Sequence, residues 1–335
     1  MDIDRRALYN ALRMNWLSDP TIEVEPWQVE NYREMSLPLL FSRLRQHGFS
    51  LDKDSFTSLS ENFDTPEELT THLIDEEGVS AKEEDQVYLI TFELWRRLQK
   101  DKPCLSIFCD ELDHQIYLYD HGLAKSAEDI QDVLSNLQVI LEENSDEGAD
   151  PESVLNLINY GSANDIEAFL FDFILEQIEN DNYSYAQDLL ESFQHYVSDK
   201  KWFQLLHARL LFGIDPTAAK PILNYLIDQA EDDEDLEFNL ELLSELIQEE
   251  DEEIFLKLLK STLPLLEQEE DFQDMLLLTA DFFNEKEKIN EERLIESLLK
   301  KRSSIPLDNI LDKNDPGVLE LTKLIETNVY RPNQK

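Results

Sequence analysis

Glycine is scarce in this 335-residue chain, with seven in all. Phosphate-cradling loops, dinucleotide folds and tight hairpins need backbone that takes positive φ or lets a ligand approach closely, and glycine supplies both. No GxGxxG, GxxxxGKS/T or GxSxG pattern occurs, which argues against the common nucleotide-binding loops and the hydrolase elbow. Cysteine is scarcer still. Cys104 and Cys109 are the only two, too few for a secreted disulfide framework. The opening "MDIDRRALYN" has no apolar h-region, so no secretory signal is expected. Long apolar runs are missing too. "FLFDFIL" (169–175), interrupted by Asp172, falls far short of the ~18 residues of a membrane span. The expectation is a cytoplasmic protein with no membrane contact.

Positive charge is the remaining deficit: 29 Lys and Arg stand against 74 Asp and Glu, a formal net of −45. Such a surface repels nucleic acid and anionic membranes and attracts basic proteins or cations. It does not mark a disordered tail, because 41% of residues are hydrophobic and 10% aromatic, enough for a core.

What is present is helical punctuation. Asp19-Pro20, Thr65-Pro66, Asp150-Pro151, Asp215-Pro216 and Asp315-Pro316 each pair a capping side chain with a proline suited to the first helical position. "TPEE" (65–68) and "SAKE" (80–83) read as capping boxes. Apolar residues recur at helical spacing, as in Ile166, Phe169, Leu170, Phe173 and Ile174, or Leu236, Leu240, Leu243 and Ile247. The pattern predicts helices near 3–17, 26–35, 37–48, 65–75, 81–99, 103–120, 127–143, 151–160 and 164–180. Further helices follow near 183–197, 201–212, 216–230, 235–248, 251–263, 271–285, 291–302 and 316–328. Strand signals are nearly absent.

In the C-terminal half, helix pairs align on Ala186, Ala219, Ile254 and Leu294, in steps of 33 (219−186), 35 (254−219) and 40 (294−254). A period in the thirties built from two antiparallel helices is the signature of a solenoid. In "LFDFILEQIENDNYSYAQDLLESF" (170–193), Leu170, Phe173, Tyr183, Ala186 and Leu190 occupy large, large, aromatic, small and large positions. Over about 164–302 the chain resembles tetratricopeptide (TPR) repeats, with Ile174 and Phe193 standing where that family has small residues. The resemblance implies a scaffold presenting a concave surface to a peptide or protein. The fold expected is therefore all-α: a helical-pair, TPR-like solenoid over 126–335 and an irregular helical N-terminal layer over 1–125. That layer holds Trp16, Trp27 and Trp95 and a better balanced charge.

Two constellations invite chemistry. In "PCLSIFCDELDHQIYLYDH" (103–121), a metal would use Cys109, Asp113 and His114, but no second ligand pair with finger-like spacing occurs. The plainer reading buries Leu105, Phe108, Cys109, Leu112, Ile116 and Tyr119 and leaves Asp110, Glu111 and His114 solvated. The second is "EEDEE" (249–253), set before the stripe of Ile254, Phe255, Leu258 and Leu259. Carboxylates at a helix N-terminus meet the positive end of its dipole, yet five exceed what capping needs. Residues 230–271 carry 17 acidic and two basic residues. A calcium loop is not expected, because DxDxDG with its central glycine is missing.

These observations predict a non-enzymatic acidic helical-repeat protein, without cofactor or metal, that binds a basic protein or peptide as adaptor or dedicated chaperone. Asp232, Asp233, Glu234, Asp235, Glu249, Glu250, Asp251, Glu252 and Glu253 are the expected partner-binding residues. Two alternatives stay open: a nucleic-acid-mimicking inhibitor, and a metal- or carboxylate-dependent enzyme with its site near residues 104–121.

Overall fold

A computed structural model of the chain describes residues 3–77, 80–230, 233–247 and 252–329. Among these residues the chain is all-helical. It has seventeen α-helices, three short 3-10 turns and no strand beyond one antiparallel bridge between Gln268 and Ile310. No described helix is long and apolar enough to cross a membrane.

The helices form two compact units, Met1–Asn180 with Ser184–Lys200, and Asp181–Tyr183 with Lys201–Lys335. The first holds α1 (Asp4–Ser18), α2 (Leu37–Gln46), α3 (Lys53–Ser60), α4 (Pro66–Glu77), α5 (Ala81–Leu98), α6 (Leu105–Asp120), α7 (Ala127–Asp146), α8 (Pro151–Gly161), α9 (Ile166–Glu179) and most of α10 (Tyr183–Phe193). The second holds nearly all of α11 (Lys200–Ile214), then α12 (Pro216–Ala230), α13 (Leu236–Glu245), α14 (Glu252–Thr262), α15 (Glu269–Glu285), α16 (Ile289–Arg302) and α17 (Pro316–Val329).

The caps act largely as their chemistry dictates. Ser80 and Glu83 close a reciprocal capping box on α5. Asp150 and Asp235 accept the Ser153 and Phe238 amides at the starts of α8 and α13. In "TPEE", Thr65 accepts from the Glu68 amide, while the Glu68 carboxylate reaches past it to the Asp64 amide. Asp19-Pro20 departs from the pattern, because Asp19 accepts from the Thr21 amide and hydroxyl in a turn that follows α1.

Two local expectations fail, for tertiary reasons. Residues 26–35, expected as one helix, form 3-10 turns at Pro26–Gln28 and Tyr32–Glu34. Arg97 holds the second turn from outside, donating to the carbonyls of Met35 (2.6 Å), Tyr32 (3.0 Å) and Arg33 (2.8 Å). Buried Glu93 holds that arginine and also binds Arg96 at 2.7 Å. Helix α3 was not expected, since "KDSFTSLS" is rich in Ser and Thr and short of apolar residues. An Asp52–Ser55 capping box starts it, and the fully buried Phe56, edge-on to Phe41, secures it.

In the second unit, α13 packs on α14, α15 on α16, and α17 returns to both α14 and α16. Arg302 at the end of α16 donates to Glu269 at the start of α15 (2.7 Å) and to Asp315 before α17 (2.6 Å). Gly317 leaves room for this staple, because a Cβ there would lie 3.0 Å from the Arg302 Nη1.

Arg97→Gln is expected to lower the unfolding free energy by about 2–4 kcal/mol, since several carbonyls lose a charged donor and Glu93 loses a partner. Arg97→Lys should recover little, because one ammonium lacks the planar fork that reaches three carbonyls. Urea titration checks both. An Arg97→Gln chain within about 0.5 kcal/mol of wild type would contradict the role given to this side chain.

Candidate functional site

The face of α6 that sequence periodicity assigns to solvent is partly the polar heart of the first unit. Asp110 is 2% exposed, not solvated. It accepts from Arg6 Nε at 2.7 Å, Arg33 Nη2 at 2.5 Å and Asn10 Nδ2 at 3.0 Å. Arg33 also binds Glu111 at 2.9 Å. These partners lie 77 to 104 residues away in sequence, so a helical wheel of α6 cannot reveal them. Burial alone would raise the Asp110 carboxyl, but Arg6 and Arg33 hold it well below the usual carboxylate range.

Asp113, one turn on, is equally buried and accepts from the Ala163 and Asn164 amides and from the Asn164 and Asn10 side chains. It ties α6 to the turn that opens α9. Burial still pushes its carboxyl up.

The suggested metal set does not assemble. Cys109 is fully buried and points at the Ile158 carbonyl, and Gly161 gives it room, since a Cβ there would lie 3.0 Å from the sulfur. Burial pushes its thiol up to about 12, which makes it a poor thiolate. His114 is half-buried, and burial and Arg33 keep it below the usual imidazole range. Among the described residues no group of three or more His, Cys, Asp and Glu is arranged to hold a metal.

Of the expected partner-binding residues, Asp232, Glu249, Glu250 and Asp251 lie outside the described residues. Three of the others form ion pairs within the second unit. Lys201 binds both Asp233 (2.6 Å) and Asp235 (2.7 Å), and Asp235 also caps α13. Lys288 binds Glu252 at 2.5 Å. Glu253 stands in the first turn of α14, and Glu234 is exposed with no cation within 4.0 Å among the described residues.

A site that sequence reasoning missed lies between α6 and α9. Tyr119, Phe169 and Phe173 form an aromatic floor, with Tyr119 edge-on to Phe173 at 5.2 Å and Phe169 stacked on Phe173 at 5.7 Å. Asp120, Asp165, Asp172 and Glu176 rim a groove of about 400 Å³ that no Lys or Arg lines. The Tyr119 hydroxyl donates to Glu176 at 2.5 Å, and Asp165 caps α9. Partial burial raises the Asp120 and Asp172 carboxyls, and repulsion from Asp172 and Glu176 adds to the shift at Asp120. The available signal was Asp172, the charge that breaks the apolar "FLFDFIL" run.

The signs of these shifts separate the two clusters. Asp110, with a depressed pKa, contributes stability above the usual carboxylate range that is lost as pH falls through and below it. Asp110→Asn should cost about 3–5 kcal/mol by stranding Arg6, and should flatten the acid limb of stability against pH. Asp172, with a raised pKa, disfavours folding when ionised, so Asp172→Asn should raise the melting temperature at neutral pH. Denaturation at pH 3 to 7 checks both, and equal, same-signed effects would contradict the assignment. No protein-family model, curated protein or solved structure matches this chain.

Proposed function

We propose that this chain is a non-enzymatic, cytoplasmic helical-repeat protein, TPR-like over about 164–302, that binds a basic protein partner as adaptor or dedicated chaperone. The observation that carries the reading is the α6–α9 groove: an aromatic floor beneath four carboxylates, with no internal Lys or Arg to match them. An incoming Lys or Arg side chain would lay its stem on the aromatic rings and its charge among Asp120, Asp172 and Glu176. It would relieve repulsion already present, so it gains more there than at a neutral surface.

The acidic stretch 232–253 takes a different part. Its described carboxylates are largely committed to Lys201, Lys288 and helix starts. It adds to the field that speeds encounter, while the groove sets the lifetime of the complex.

The probe is a fluorescent peptide alternating Lys with apolar residues, compared with its lysine-acetylated form. Anisotropy should show binding of the first that weakens with salt, and Asp120→Asn/Asp172→Asn should weaken it by roughly tenfold or more. Neutralising Asp232, Asp233, Glu234, Asp235 and Glu249 to Glu253 should slow association and flatten its salt dependence, with a smaller change in dissociation. Equal binding of the acetylated peptide, or of the groove variant, would overturn the proposal.

A further inference from the structure

A second cavity lies in the first unit, of about 240 Å³, where α1, the turns of residues 26–34 and the middle of α6 meet. Its floor is the Asp110 network, in which Arg6 and Arg33 are already matched. Above the floor stand two charges that are not. Arg13, on α1, is half-buried with no carboxylate within 4.0 Å among the described residues. Glu34 lines the same cavity and has no cation within that distance among the described residues. Glu34 acts electrostatically on Arg13, yet no ion pair closes between them. Tyr9, Tyr117, Met14 and Leu118 supply apolar wall. His114 also faces the space, and burial with Arg33 holds it below the usual imidazole range.

We propose that this cavity binds a free α-amino acid with an apolar side chain, its carboxylate on Arg13 and its ammonium toward Glu34. The charge arrangement selects the class. A dianion would meet Asp110, Asp113, Glu30 and Glu34 in the lining and a chain of net −45. A simple cation would meet Arg13. A zwitterion is neutral overall and satisfies both unmatched groups at once, with charge-assisted hydrogen bonds to a planar guanidinium. The volume lies below the range of about 300–1,000 Å³ typical of drug-sized ligands and suits a metabolite of amino-acid size. This reading rests on residues separate from the α6–α9 groove and stands or falls apart from it.

Isothermal titration calorimetry of the full chain with L-leucine, L-methionine and L-phenylalanine is the test, with L-phenylalaninamide and N-acetyl-L-phenylalanine as blocked probes. At least one free amino acid should bind saturably, and blocking either end should weaken binding by roughly tenfold or more. Arg13→Gln should abolish binding of the free and the N-acetylated forms. Glu34→Gln should erase the preference for a free ammonium, so that both bind alike. Neither side chain has an internal ion pair to lose, so melting temperatures should stay close to wild type. No saturable heat with any of the three amino acids, or unchanged binding by Arg13→Gln, would overturn the inference. A wild-type preference for either blocked probe would instead identify a peptide terminus and overturn it equally.

Discussion

Buried and half-buried arginines are the constraint on which the rest of this structure depends. With 29 cationic side chains against 74 anionic ones, any cation drawn into the interior is lost to the surface. The fold nevertheless commits several of them there. Arg6 and Arg33 close on Asp110, Arg96 and Arg97 on Glu93, Arg209 on Glu241 and Glu245, and Arg302 on Glu269 and Asp315. All but Arg96, which pairs within its own helix, join segments, or a helix to the turns beside it, that apolar stripes alone would leave free to slide. Desolvating such charges is costly, and the cost is offset because the carboxylates and guanidiniums meet in close, multiply bonded geometry.

The surface follows from that expenditure. With these arginines committed elsewhere, no Lys or Arg lines the α6–α9 groove, and partial burial leaves Asp120 and Asp172 harder to ionise than free carboxylates. The described part of the acidic stretch 232–253 follows the same logic. Lys201 and Lys288 sit where Asp233, Asp235 and Glu252 can use them, so these carboxylates are paired beside helix starts. Density of charge along the sequence and availability of charge on the surface are different quantities.

What the sequence made legible is what local physics decides. Capping at Ser80, Asp150 and Asp235, and stripes such as Ile166 to Ile174, identify the helical class and most helix positions. What it hid depends on partners far along the chain. Arg97 fixes the turn at 32–35 from a helix far along the chain, and Phe56 anchors a helix at 53–60 by burying its ring. Asp110 has the spacing of a solvent-facing residue and is buried because two arginines come to it. Cys109 and Asp113 look like neighbouring ligands on one helix, yet the first serves packing against Gly161 and the second holds the turn before α9. Asp172 and Glu176 lie one turn apart on α9, but Asp120 joins them only because α6 meets α9 through Tyr119, which no window of sequence contains.

The claim that internal arginine staples, and not surface ion pairs, hold this acidic fold together has a direct test in the melting temperature as a function of ionic strength. Salt screens exposed charges within a Debye length of about 10 Å at 0.1 M and reaches buried pairs far less. For a chain of net −45, screening relieves self-repulsion. The account predicts a melting temperature that rises from low to physiological sodium chloride and then levels off. A melting temperature that falls steadily over that range would contradict it, because exposed pairs would then be carrying the stability.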